Sequence, residues 1–346
     1  MKIKSFAFYP LALMLIIAFF LSSCIDQKQG KDRSTGKTNE ILVVTDTKAQ
    51  WNGAIGDTLR ALFEQEMPGL PQSEPLYKVF NVEEANFNKT FKKLHSIFIL
   101  NINPSFEEPL VEMKRDLWTS PQQVIKVTAR DKEWFFAIFD QYKEIFLKKF
   151  KDLEIERTNK YFHMASSVKL KEVLIKKFGF SMDLPGGFAI AKQTDNFIWL
   201  RQTIRKVKQD VEMGIFIYQR PYTDTLVFQK EVILNTRDSL TKAYIPGPSP
   251  ESYMAVSKEV IKPVIKKSRN FKTGYVAETR GLWKVVNDFM GGPFISYTFV
   301  DPENENVITM DGYVYNPSGM KRNFIRQLEA MFHTIEFVKK EKKKVQ

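Results

Sequence analysis

Two periodicities divide this chain, and the change between them falls near residue 155. Before it, short apolar runs alternate with stretches whose apolar positions recur three or four residues apart. Ile41 to Thr45, Leu76 to Val82, Ser96 to Ile102 and Gln122 to Ala129 read as strands. Asp46 to Gly56 reads as a loop carrying Trp51, after which Leu59, Leu62, Phe63 and Met67 share a helical face. Pro68-Gly69 stops that helix, and Phe87, Phe91 and Leu94 predict a short one further on. From Lys132 to Leu153 the positions Phe135, Ile138, Phe139, Tyr142, Ile145, Phe146 and Phe150 keep a helical period. Strand and helix in alternation predict a small α/β domain over residues 41–155.

Beyond it the strands come in hairpins. Leu170, Val173, Leu174 and Phe178 mark a helix ended by Gly179. Phe180 to Gln202 is cut into three short strands by Pro185-Gly186-Gly187 and Asp195-Asn196. Gly214 to Tyr218, Val276 to Val286, Phe294 to Val300 and Val307 to Tyr315 are strand-like, with Asp301 to Asn306 as a turn. Leu226 to Leu240 reads as a helix and Tyr244 to Pro250 as a loop. Asn316-Pro317-Ser318 opens a last helix in which Phe324, Leu328, Met331, Phe332 and Ile335 share a face. Residues 156–338 are thus expected to form a mainly antiparallel sheet flanked by helices, an α/β/α sandwich. The whole chain is expected to be α+β.

The first 24 residues follow neither pattern. Lys2 and Lys4 precede an uncharged run from Phe6 to Leu21, and Ser22-Ser23-Cys24 follows. That run is 16 residues long and contains Pro10, short of the ~20 apolar residues a spanning helix needs. A positive start, a short apolar middle and small residues before a cut point mark a secretory signal over residues 1–23. The small pair before Cys24 resembles the bacterial lipoprotein box, which implies lipid transfer to the thiol, cleavage before Cys24 and acylation of the new amino group. The competing readings are a plain thiol and an uncleaved anchor. More than one acyl chain would give stable attachment where a single chain is marginal. Residues 24–40 hold one large apolar residue after the Cys and read as a solvated tether. Residue 26, not 25, is the aspartate, which favours outer-membrane sorting with the body facing the periplasm.

Charge sharpens that picture. Loss of residues 1–23 removes Lys2 and Lys4 and no acid, so 52 basic residues become 50 against 40 acidic ones. Basic clusters occur at Lys148, Lys149 and Lys151, from Arg201 to Lys208, and in a tail, residues 339–346. An exported protein of this charge would meet anionic lipid, acidic glycan or an envelope protein rather than nucleic acid. The other reading is a solvated basic face.

The chain is poor in recognisable chemistry. One Cys and three dispersed His (His95, His163, His333) offer no Cys- or His-based metal site, and no cofactor is implied. There is no dinucleotide, Walker or nucleophile-elbow motif. Gly186-Gly187 and Gly291-Gly292 read as tight turns. Ser166/Lys169 and Ser239/Lys242 fit the SxxK spacing, Ser268/Asn270 fits SxN, and Lys272-Thr273-Gly274 fits KTG. In penicillin-binding acyltransferases the last two elements lie far apart; here they adjoin on one segment, so that reading is rejected.

Several strings act as a set: Phe197-Ile198-Trp199-Leu200-Arg201, Tyr218-Gln219-Arg220-Pro221-Tyr222, Pro246-Gly247-Pro248 with Ser252-Tyr253-Met254, Arg280-Gly281-Leu282-Trp283, and Phe289-Met290-Gly291-Gly292-Pro293-Phe294. With Ile41 to Asp46, Trp51 and Pro71-Gln72 they resemble an uncharacterised lipoprotein family of the Bacteroidota, a domain of unknown function for which no activity or catalytic residue is implied. The segment from Phe180 to the closing Thr334-Ile335-Glu336-Phe337 is similar to PsbP-like sandwiches in fold only.

Two function classes follow. The first is a non-enzymatic binding or assembly module of the envelope, held at the membrane by Cys24. Its contact surface is expected to include Trp199, Arg201, Arg220, Tyr222, Tyr253, Arg280, Trp283 and Met290, because Arg and large aromatics dominate interface hot spots. Core positions for the two tryptophans are the bland alternative. The second class is an envelope hydrolase or transferase using Asp183, Asp224, Asp238, Glu278 or Asp288, since carboxylates catalyse without a sequence signature.

Overall fold

Parallel pairing of β1 (Glu40–Thr45) with both β2 (Lys78–Glu83) and β3 (Ser96–Ile102) sets the first half of the molecule. The structure, a computed structural model, describes residues 30–207, 209–301 and 303–338. The apolar run before Cys24, Cys24 itself, Lys208 and the basic tail lie outside the described residues.

β5 (Gln123–Ala129) runs parallel to β3, and β4 (Leu110–Arg115) closes the edge antiparallel, giving the order β2-β1-β3-β5-β4. The continuous apolar run of β1 reflects burial on both faces. Ile41 and Val43 pack under α2 (Ala54–Phe63) and α4 (Lys132–Met164), whereas Leu42 and Val44 face Phe87, Phe91 and Trp118. Two elements depart from the sequence reading here. The expected loop from Asp46 holds α1 (Lys48–Asn52), capped by Thr47, and α2 begins at Ala54. β4 was not expected, because its polar sequence belongs to a half-exposed edge.

α4 starts where Asp131 accepts the Trp134 N–H at 2.9 Å. It continues well past Leu153, through a polar stretch that the apolar period does not reach. Those polar side chains have partners. Glu154 is buried, with His95 Nε2 at 3.0 Å and Arg157 Nη1 at 3.2 Å. The His95 Nδ1 in turn lies 2.7 Å from the Thr35 carbonyl oxygen.

The segment expected to be a free tether is therefore attached from Lys31 onward. Ser120 donates its N–H to Asp32, Ser34 to Ser120 and Thr35 to Lys93, at 2.9, 3.1 and 2.8 Å. Gly36, at φ +108°, lies so close to the His95 ring that a Cβ would stand 2.9 Å from it. A polar composition predicted solvation; here the backbone finds its partners in a neighbouring loop.

The second half is built on a large antiparallel sheet, with a separate two-stranded sheet beside it. After α5 (Val168–Phe178), ended by Gly179 at φ 76°, come β6 (Phe180–Ser181), β7 (Ala189–Thr194), β8 (Phe197–Ile204) and β9 (Val211–Pro221). A 3-10 turn at Thr225–Phe228 leads into α6 (Lys230–Tyr244). β10 (Tyr253–Ser257), β11 (Val264–Phe271), β12 (Gly274–Val286), β13 (Gly291–Val300) and β14 (Asn306–Tyr315) follow, then α7 (Arg322–Phe332) and β15 (Glu336–Phe337). The order is β10-β12-β13-β14-β9-β8-β7, with β11 also on β12 and β15 on β6. β10 and β11 were missed, one behind a Pro/Gly-rich loop and the other Lys-rich. Lys272-Thr273 is the turn joining β11 to β12, as its place on one segment implied. Gly291-Gly292 is not a turn: it opens β13, and a Cβ on Gly292 would meet the Val314 oxygen at 2.1 Å.

Alternation along the strands splits two cores. Ile198, Leu200, Ile215, Ile217 and Tyr297 face α5 and α7; Phe197, Trp199, Phe216, Trp283 and Tyr313 face α6. This gives helix, sheet and helix in layers, the sheet curling around α6. The mixed α+β architecture read from the sequence is the one found.

Candidate functional site

β7 and β10 end the strand order of the large sheet, yet the curl brings them to opposite sides of one opening. The cleft there has a volume of about 700 Å³. Ala191 and Lys192 come from β7, Trp199 from β8, Lys242 and Tyr244 from the end of α6, and Tyr253 from β10. Trp199 is fixed by its Nε1–H, which donates to the Tyr313 hydroxyl at 3.0 Å. Arg201 stands 5.2 Å from the Trp199 ring centre and grips Glu212 with two bonds of 2.9 and 2.6 Å. Those bonds hold the Arg201 pKa above its ordinary value. Lys242 Nζ lies 5.1 Å from the Tyr253 ring centre. Aromatic faces beside ammonium groups favour a ligand with both apolar and acidic parts.

The turn between β12 and β13 borders this opening through Asn287. Asp288 holds it by accepting the Ser249 hydroxyl at 2.8 Å and the N–H groups of Phe289 and Met290 at 2.6 and 3.2 Å. These bonds, the Ser249 one foremost, keep the Asp288 carboxyl below its usual value. The turn leaves Phe289 wholly exposed, at 107%.

Five of the eight expected contact residues belong to this region. Trp199 and Tyr253 line the cleft, Arg201 lies against Trp199, and Trp283 and Met290 pack in the core beneath. The tryptophans are 7% and 2% exposed, so most of each ring is core, as the bland alternative held. Arg220 lies near the end of β9 and Tyr222 just beyond it, at a separate cleft with Lys267 and Arg269. Arg280 is on the other face of the sheet, buried against α7. Strand alternation separates Arg280 from Trp283. The expected single surface is thus three places.

Arg280 belongs to a charge cluster where the two halves meet. Glu329, fully buried on α7, has Lys151 Nζ at 2.6 Å, Arg280 Nη2 at 3.0 Å and Arg326 Nη1 at 3.3 Å. Burial alone would raise the Glu329 pKa, but the three cations hold it well below the usual range. Glu278 bonds Arg280 at 2.5 Å and is likewise held low against its burial. Lys151 therefore serves this junction rather than a basic face.

The remaining candidate carboxylates do not converge. Asp224 caps the 3-10 turn, Asp238 accepts the Val256 N–H at 2.6 Å, and Asp288 holds its turn. Asp183 lies with Lys171 Nζ at 2.5 Å and His163 Nδ1 at 3.1 Å, beside a groove along α4. Burial works against its ionisation, and hydrogen bonds from Lys171 and His163 outweigh that. Among the described residues no three His, Cys, Asp or Glu side chains gather as a metal site requires. Sequence reasoning missed Lys242, Tyr244 and Phe289. Phe289 had a usable signal: a large apolar residue in a turn between two strands.

The sequence matches two family models, DUF8532 over residues 34–163 and DUF4837 over residues 167–334, each described as a domain of unknown function. The chain carries two domains of unknown function. The break between them falls at the end of α4, so all but the last residue of that helix lies within the DUF8532 match, past the boundary expected at residue 155. The cleft lies wholly within DUF4837 and the charge cluster joins the two. No curated protein matches the chain. Solved structures similar to it include the Saccharomyces cerevisiae Ran-binding protein Mog1p, at 10% identity, TM-score 0.32, over 46% of this chain and 90% of that one. The human StarD13 lipid transfer and protein localization domain matches at 9% identity, TM-score 0.22, over 48% and 94%. Neither likeness is close enough to carry an argument, and neither is described as PsbP-like.

Proposed function

We propose that the protein is a non-enzymatic binding module of the bacterial cell envelope, anchored through acylated Cys24, that docks an extended segment of a partner polypeptide at the cleft between β7 and β10. The lipoprotein-like sequence before Cys24 supports the anchor, and the absence of aspartate at position 25 supports the outer membrane with the body in the periplasm. The kinship with Bacteroidota lipoproteins belongs to the same reading.

The observation that carries the docking site is an open sheet edge beside an aromatic pocket. β7 pairs only with β8 among the described strands, and its residues are almost all exposed. An incoming strand could use its free backbone groups while a side chain enters between Trp199 and Tyr253; main-chain bonds supply affinity and the pocket supplies choice. Lys192 and Lys242 favour an acidic group in that segment, and Phe289 offers an exposed apolar contact on a hydrogen-bonded turn.

The test is capture of the anchored protein from its own envelope, as wild type, Tyr253→Ala and Lys192→Glu. The expected result is a retained polypeptide that falls by roughly tenfold or more in the Tyr253 variant. Equal retention by all three would end the reading. One observation favours an enzyme instead: His163 has its Nδ1 on Asp183 and a side chain 74% exposed, which is how a general base is held. Turnover of an envelope component that His163→Ala abolishes would establish it.

A further inference from the structure

We infer that the face around Gly30, where the attached arm begins, rests on the bilayer and takes anionic lipid headgroups. This rests on the reading of Cys24 as the acylated residue. The arm is not free to act as a spacer, because its backbone is bonded to Lys93, His95 and Ser120 from Asp32 onward. Cys24 is six residue steps from Gly30, a span of at most about 22 Å even when fully extended. An acylated Cys24 sits at the membrane surface, so Gly30 cannot stand farther from it than that. A free tether reaching residue 40 would let any face turn to the membrane. With the arm attached, only a face within that reach of Gly30 can.

The side chains at that place suit the role. Lys31 donates to the Asp116 carbonyl, and Asp32 pairs with Lys93 at 3.1 Å, joining the arm to the β4–β5 loop and to the segment around α3 (Lys89–Lys92). Next in that loop come Leu117, 38% exposed, and Trp118, whose ring meets Phe87 edge-on at 5.7 Å. Lys92 Nζ lies 5.6 and 5.5 Å from the centres of those two rings. Residues 30–37, 83–93 and 110–118 together hold eight Lys and Arg against five Asp and Glu. An exposed leucine beside a partly buried tryptophan, with the Lys92 ammonium over the tryptophan ring, suits a headgroup layer: the leucine enters the interface and the ammonium groups pair with phosphates.

The experiment uses the mature chain with Cys24→Ser, which carries no acyl group and, Cys24 being the one native cysteine, accepts a single new thiol. An environment-sensitive dye is placed at Leu117→Cys, Tyr161→Cys or Phe289→Cys, all exposed positions, and each protein is mixed with phosphatidylglycerol-containing or pure phosphatidylcholine vesicles. The dye at position 117 is expected to shift to an apolar signal on the anionic vesicles alone. Replacing Lys89 and Lys92 by Gln is expected to weaken partitioning about thirtyfold without altering thermal unfolding. A signal at position 161 or 289 instead, no signal at 117, or indifference to headgroup charge overturns the inference. Acylation is read separately from the mass of the wild-type protein, so a failure of the anchor and a failure of this face give different results.

Discussion

Glu74 caps a helix that starts far along the chain: its carboxylate accepts the N–H of Lys321 at 2.7 Å and of Arg322 at 3.0 Å, at the start of α7. Lys321 has no side-chain cap of its own to offer. The carboxylate of the first half thus satisfies orphan donors, and complements the positive dipole end, of a helix in the second. Glu74 is 2% exposed, so these are buried, charge-assisted bonds. Glu74→Ala should cost about 2–4 kcal/mol in urea unfolding. Glu74→Gln should cost less, because its oxygen still accepts one N–H.

Glu329 should matter more than any single cation around it. Its removal leaves Arg280 and Arg326, both largely buried, without their shared acceptor. Glu329→Ala is expected to lose about 3–5 kcal/mol. Lys151→Met should lose less, since Lys151 is one-third exposed and two arginines still serve the carboxylate. Denaturant midpoints of the two variants measure the order directly.

Acid should loosen the junction between the halves. Glu329, Glu278, Glu154 and Asp183 are each held low, cationic or hydrogen-bonding partners overcoming burial. Folding therefore weakens their hold on protons. Their stabilisation is complete above the ordinary values of 4.5 for Glu and 3.8 for Asp, and is lost as pH falls below them. Burial also holds His333 below its ordinary 6.5, so a smaller loss begins under that value. Urea midpoints should fall modestly from about pH 7 to about pH 5 and steeply below about pH 4. A flat profile would contradict these assignments.

The arm depends on a glycine. At position 36 a side chain would meet both an unfavourable positive φ of 108° and the His95 ring. Gly36→Val should free residues 31–38 while leaving the rest folded. Limited proteolysis with mass analysis should show new cuts near Arg33 and Lys37, with little change in the unfolding midpoint.

Much of the fold was legible because it is written in period and punctuation. The fully apolar run of β1 and the left-handed Gly179 after α5 each have one ready structural reading. What stayed hidden depends on partners far away in the chain. The polar second half of α4 has no apolar period, since Glu154 is satisfied by His95 and Arg157. Arg237 on α6 and Asp311 on β14, both buried and bonded at 2.9 Å, carry no local mark of their pairing. The cleft was half-legible. Trp199 and Tyr253, expected as contact residues, both line the cleft, but which strands face each other across the opening follows from the curl of the sheet. Arg280 and Trp283 looked like one site, though three positions along a strand put them on opposite faces.

The central claim is that this two-part body is a lipoprotein held at the bilayer through Cys24. Intact-mass measurement of the protein extracted from its own membranes tests it most directly. The account predicts a chain beginning at Cys24 and heavier than residues 24–346 by its attached lipid. A species that retains residues 1–23, or one that begins at Cys24 with an unmodified thiol and amino group, would contradict it.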